Sequence, residues 1–162
     1  MFLRYMPYWI GLLSLVACQT TPKTPEAFLK ARFPQLTEEI QWDSSKTNEI
    51  GAFFSDSTGI GYEVYFDRAG HFQKLYTYLN ATDLPAKAET ALLQKYPNYK
   101  LAVLSLVEAP KSKFYHAELA TDKDYITLEV DDVGNFLSEK VEPLSEQELR
   151  NAEEEGVDDD LN

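Results

Sequence analysis

Shifted against itself by about 63 to 64 residues, the chain matches its own pattern, and this internal repeat constrains the fold more than any single motif does. Phe33-Pro34 recurs as Tyr96-Pro97, and the stretch from Tyr62 to Gly70 recurs from Ile126 to Gly134. Each half is predicted to open with a short helix, pass a Pro-containing break, and continue through strands that end in an Asp-x-x-Gly hairpin.

Helix signals are clear in both halves. Thr24 is the predicted N-cap of the first, with Pro25 at the first helical position, Glu26 in the first turn and Pro34 as the stop. Leu29 and Phe33 lie one turn apart and share a face. In the second, Pro85 opens and Pro97 closes, while Ala88, Leu92 and Tyr96 recur at helical spacing as a core stripe. Strand runs rich in aromatic and β-branched residues follow: Phe53-Phe54, Tyr62 to Phe66 and Phe72 to Leu79, then Lys100 to Val107, Phe114 to Leu119, Tyr125 to Val130 and Phe136 to Val141. The connections suit antiparallel neighbours. In the turns Asp67 to Gly70 and Asp131 to Gly134 the aspartate can accept backbone bonds while glycine takes positive φ, so neither residue needs a catalytic role.

The N-terminus carries an address. Met1-Phe2-Leu3-Arg4 leads into an apolar run from Tyr5 to Ala17, interrupted by Pro7, Gly11 and Ser14 and short of the roughly 20 residues a membrane span requires. Leu15-Val16-Ala17-Cys18 resembles the lipobox of bacterial lipoprotein signals. Residues 1–17 therefore read as a cleaved leader, and Cys18, the one cysteine, as the lipidated residue. The alternatives are an ordinary signal peptide that leaves a free thiol, or a buried cysteine packing as a small hydrophobe. Two or more acyl chains give stable anchoring, at about 0.8 kcal/mol per buried methylene. Gln19 stands where inner-membrane lipoproteins usually carry Asp, so the resemblance favours the outer membrane. Residues 18–24 then read as the lipidated end and its tether.

Charge removes one class of partner. With 27 acidic and 15 basic residues the net charge is -12, and losing Arg4 with the leader makes it -13 over the remaining 145 residues. Such a chain repels phosphate backbones and anionic headgroups alike, and no basic patch is visible, so nucleic-acid binding is excluded. The length suits one domain.

Taken together, Leu29 to Pro34, Tyr65 to Gly70, Leu84-Pro85, Lys95 to Tyr99 and Glu129 to Gly134 resemble the PepSY-like, β-lactamase-inhibitor-like domains of bacterial exported lipoproteins, especially of the Bacteroidetes type. The resemblance runs from about Pro25 to Val141. It implies an α+β fold in which two tandem helix-plus-antiparallel-strands repeats, 25–79 and 84–141 within a domain 25–142, form one roughly eight-stranded sheet with helices on one face. It brings no catalytic residues with it, and no motif that would transfer inhibition of a β-lactamase.

Alternation along the strands locates a candidate binding face. If Tyr62, Val64 and Phe66, with Ile126, Leu128 and Val130, turn to the helices, then Glu63, Tyr65, Thr127 and Glu129 turn away from them. Tyrosines among carboxylates suit a protein or peptide partner, since Tyr offers rigid area with a polar tip. A solvated face with ordinary cross-strand pairs would carry the same residue types. A hairpin bulge would reverse parity, which leaves the facing of Tyr76, Tyr78 and Tyr115 open.

Signals for chemistry are sparse. The sequence has His71 and His116 but none of the G-x-S-x-G, H-E-x-x-H, P-loop or dinucleotide motifs, and so many carboxylates that no glycosidase pair stands out. His71 reads as a surface histidine. No cofactor or metal is expected, and no catalytic residue. In 143–162, Ser145-Glu146-Gln147-Glu148 is a capping box for a helix from about Glu146 to Glu154, ended by Gly156 and followed by an acidic tail with Asp158-Asp159-Asp160. That tail lacks the calcium-loop spacing. The expectation is a non-catalytic, lipid-anchored binding module of the cell envelope. The alternatives are a structural lipoprotein without a dedicated ligand and, last, a carboxylate hydrolase.

Overall fold

The computed structural model describes residues 24–36 and 39–145. The leader, Cys18, the tether up to Lys23 and everything from Glu146 onward lie outside them. Helix α1 (Pro25–Arg32) is followed by β1 (Gln41–Asp43), β2 (Glu49–Ser55), β3 (Gly61–Asp67) and β4 (Phe72–Tyr78). A 3-10 turn (Ala81–Asp83) leads to α2 (Ala86–Lys95), then β5 (Lys100–Ala109), β6 (Ser112–Ala120), β7 (Asp124–Val130) and β8 (Phe136–Pro143). Within the described residues eight strands form one open antiparallel sheet in strict chain order, and with α1 and α2 this is an α+β fold. Among the described residues no helix is long and apolar enough to cross a membrane.

Local chemistry explains the helix ends. The Thr24 side chain accepts from the Ala27 amide at 3.2 Å with Pro25 next to it, and the Phe33 amide closes α1 on the Leu29 carbonyl. The Tyr96 amide ends α2 in the same way on Leu92. Strand β1 departs from the sequence expectation. Gln41-Trp42-Asp43 is too short to show alternation, and its order comes from pairing with Gly51 to Phe53. Strand β2 starts at Glu49 rather than Phe53. Strand β8 runs to Pro143 rather than ending at Val141, and there the missing N–H costs little because β8 is an edge strand.

Register places Ala52, Val64, Leu75, Leu104, Ala117 and Leu128 on one face, and both helices pack there. Leu29 of α1 is buried with Ala52, Phe54, Val64, Phe66 and Leu75, and Phe28 stacks on Phe72 at 4.7 Å. Leu84, Ala88 and Leu92 are buried against Leu104, Ala117, Leu119, Ile126, Leu128 and Val130. Arg32 at the end of α1 reaches Glu108 on β5 at 2.7 Å and ties the first cluster to the second half of the sheet.

Three hairpins share one turn chemistry. Oδ1 of Asp67 accepts from the amides of Ala69 and His71, and Oδ1 of Asp131 from those of Val133 and Asn135. Asp56 does the same for Thr58 and Ile60 between β2 and β3, a turn of this type that the repeat did not reveal. Gly59, Gly70 and Gly134 each take φ near +90° three residues after their aspartate, a conformation that costs other residues about 1–2 kcal/mol. His71 is exposed and meets Asp67 through Nδ1 at 2.9 Å.

Candidate functional site

The face turned away from the helices carries a row of aromatic rings in edge contact. Phe53 on β2 meets Tyr65 on β3 at 6.0 Å and 85°, and Tyr65 meets Tyr76 on β4 at 5.9 Å and 77°. Tyr76 then meets His116 on β6 at 6.1 Å and 87°, crossing β5. Ser105 and Val107 on β5 lie opposite His116 and Tyr76, and both are buried although no helix covers that side. Their small side chains leave room for the rings to meet over the intervening strand, and the Ser105 hydroxyl beneath them has no hydrogen-bond partner.

Two glycines let rings lie along the sheet. A Cβ on Gly51 would stand 2.7 Å from Cε2 of Phe53, and one on Gly61 would stand 3.2 Å from Cδ2 of Tyr78. With those positions bare, Phe53 settles beside Tyr65, and Tyr78 brings its hydroxyl to Oε1 of Glu63 at 2.5 Å. Tyr65 donates to the other oxygen, Oε2, at 2.8 Å, so Glu63 accepts from two phenols. On the far side Glu118 accepts from Tyr125 and lies 3.4 Å from Nε2 of His116.

These contacts hold the phenols neutral. Burial first, and the Glu63 bond second, push the Tyr78 phenol up to about 12 and the Tyr65 phenol higher still. The Glu118 bond first, and burial second, push Tyr125 up to about 12. A phenol kept protonated is a donor with an apolar body, which suits recognition at a partly dry interface.

The residues singled out by alternation fall into two groups. Glu63 and Tyr65 form one bonded unit on β3. Thr127 and Glu129 stand on β7 opposite Glu118 and His116. Four strand spacings, about 19 Å, separate the groups, and the Tyr76–His116 contact bridges them. Tyr76 and Tyr78 share this face, whereas Tyr115 lies opposite Val130 and packs with the α2 cluster. The bulge that left them open sits at the hairpin end, where register slips between Tyr65 and Phe66, so parity is regular from Lys74 onward. Phe53, His116, Glu118 and Tyr125 escaped the sequence reading. Among the described residues no three His, Cys, Asp or Glu side chains gather into a metal-binding group.

Comparison with solved structures places the architecture. A BLIP-like protein of Bacteroides fragilis superposes with a TM-score of 0.64 at 23% identity, covering 79% of this chain and 92% of that one. The chain has a BLIP-like fold. A DUF2874 family protein of Bacteroides ovatus gives 0.64 at 20% identity, covering 75% and 88% of the two chains. A Bacteroides eggerthii protein provisionally described as periplasmic gives 0.65 at 16%, covering 75% and 89%. No protein-family model matches the sequence, and no curated protein matches it. At these identities the BLIP-like likeness is one of fold. The aromatic row and its carboxylates are read from this chain alone.

Proposed function

We propose that the protein is a non-catalytic binding module of the bacterial cell envelope, anchored by lipid on Cys18 and recognising a protein or peptide through its open sheet face. In this reading residues 1–17 are removed, Gln19 directs the product to the outer membrane, and two tandem PepSY-like repeats build the sheet. The matching Asp67 and Asp131 turns support the repeat, as do the register slips beside Phe66 and Val130. Export is supported by the leader and by the periplasmic description of a protein of the same fold.

The observation that carries the binding role is the aromatic row from Phe53 to His116, flanked by Glu63 and Glu118. A sheet face needing only solubility has no use for rings that cover Ser105 and Val107 from the water side. Rigid tyrosines with satisfied hydroxyls offer contact area at little entropic cost. The test is recovery of partners from solubilised envelope with the wild type and a Glu63→Ala, Tyr65→Ala double variant. Loss of a specific partner with the fold intact is expected, and equal recovery would reject the reading in favour of a structural lipoprotein.

A further inference from the structure

Two small residues stand side by side on the open face and leave a hollow there. Ser55 of β2 pairs with Gly61 of β3 at the hairpin end of those strands, and longer side chains surround the pair. The result is a cavity of about 390 Å³, within the size range of small-ligand sites. Phe53 and Glu63 border it one step along the strands, Tyr78 borders it from β4, and Glu39, two residues before β1, stands at its rim.

The hollow is anionic and its inner carboxylate is fixed. The oxygens of Glu63 accept one phenol each, Oε2 from Tyr65 and Oε1 from Tyr78. A carboxylate accepts about four hydrogen bonds, so a lone pair remains on each oxygen. Among the described residues no lysine, arginine or histidine forms an ion pair with Glu63 or Glu39. Lys74 pairs with Tyr65, on the side of Glu63 away from Gly61, and lies over the rings of Tyr65 and Tyr76.

Aromatic carbon along the walls with a carboxylate at the end suits a cation carried on an apolar stem. An ammonium group is a point charge, whereas a planar guanidinium donates two parallel bonds and packs against aromatic rings. One free lone pair on each oxygen of Glu63, beside Phe53 and Tyr78, fits the guanidinium.

We propose that this cavity takes an arginine side chain of the protein or peptide partner. The guanidinium sits on Glu63, the stem lies between Phe53 and Tyr78, and Glu39 adds negative charge at the rim. The proposal rests on the binding-face reading and gives the partner its chemistry: an arginine-bearing segment, drawn toward a chain of net charge -12.

The probe is N-acetyl-arginine methylamide, titrated into the isotope-labelled chain from residue 18 carrying Cys18→Ser, with shifts read at each backbone amide. The amides of Ser55, Gly61, Glu63 and Tyr78 should move together and saturate at about millimolar probe. The uncharged N-acetyl-citrulline methylamide should move none of them. Glu39→Gln with Glu63→Gln should weaken binding at least about tenfold, and so should Ser55→Leu, which fills the hollow without changing charge. Glu89→Gln, which removes a carboxylate from α2 on the opposite face, should not. Shifts scattered over the acidic surface, an equal response to the citrulline derivative, or N-acetyl-lysine methylamide bound as tightly would overturn the proposal. Recovery of partners from solubilised envelope reads the binding face separately. A partner lost with Tyr65→Ala while the probe fails to bind would keep that face and reject the arginine cavity. Saturable binding of the probe with no partner recovered would keep the cavity and reject the wider reading.

Discussion

Tyr76 on β4 and His116 on β6 touch edge to face at 6.1 Å although β5 runs between them. The contact exists because β5 carries Ser105 and Val107 beneath it, and it joins the two ends of the candidate face into one surface.

Ser105 is 1% exposed and its hydroxyl is unpaired, so it contributes a desolvation cost without a bond in return. Ser105→Ala should leave the urea midpoint unchanged or raise stability by about 1 kcal/mol. Leu104→Ala, on the helix side of the same strand, should lower stability by about 2–5 kcal/mol. Ser105→Leu should lift the two rings apart, read as lost ring-to-ring contacts by NMR.

Gly59 and Gly134 share a positive φ but not their surroundings. A Cβ on Gly134 would meet the Lys87 carbonyl oxygen of α2 at 2.8 Å, while one on Gly59 would meet nothing within 4 Å. Gly59→Ala should cost about 1–2 kcal/mol for conformation alone. Gly134→Ala should cost more, by the amount needed to move α2, and chemical denaturation of the two variants gives the difference directly.

Asp56, Asp67 and Asp131 are held below the ordinary carboxylate range. The leading causes are the Thr58 side-chain bond, the His71 backbone bond and the Asn135 side-chain bond, respectively. A depressed carboxyl stabilises the fold above its unfolded value, near 3.8, and that contribution disappears as pH falls through the lower folded value. Acid titration of stability should therefore steepen below about pH 4. Replacing all three aspartates by asparagine should flatten that limb.

At the alkaline end the sign reverses, because Tyr78 and Tyr125 are raised to about 12 and the unfolded chain ionises first, near 10. Their contribution is complete below about pH 10 and is lost as pH climbs toward 12. Ultraviolet titration of the phenols should show a late-ionising group. Glu63→Gln should shift the Tyr65 and Tyr78 part of it down without moving Tyr125, whose partner is Glu118.

Both helices, their caps and the buried sides of β3 and β7 were legible because Thr24, Pro25, Leu29, Ala88 and Leu92 act through local chemistry or a simple period. Glu63 and Tyr65 were placed on the correct face for the same reason. Strand β1 was not legible, since three residues carry no period and owe their order to β2. Nor was the meeting of Tyr76 with His116, which lie 40 positions apart and depend on the register of three strands and on small residues between them. Gly51 and Gly61 did offer a signal, because a glycine inside a strand marks a place where something else lies close.

The strict order β1 to β8 has a kinetic consequence. Every strand pairs only with the strands before and after it in the chain, so every connection except the one from β4 to β5, which carries α2, closes a short loop at low entropic cost. A chain that becomes free to fold from one end can add strands as they appear, each onto an edge already formed.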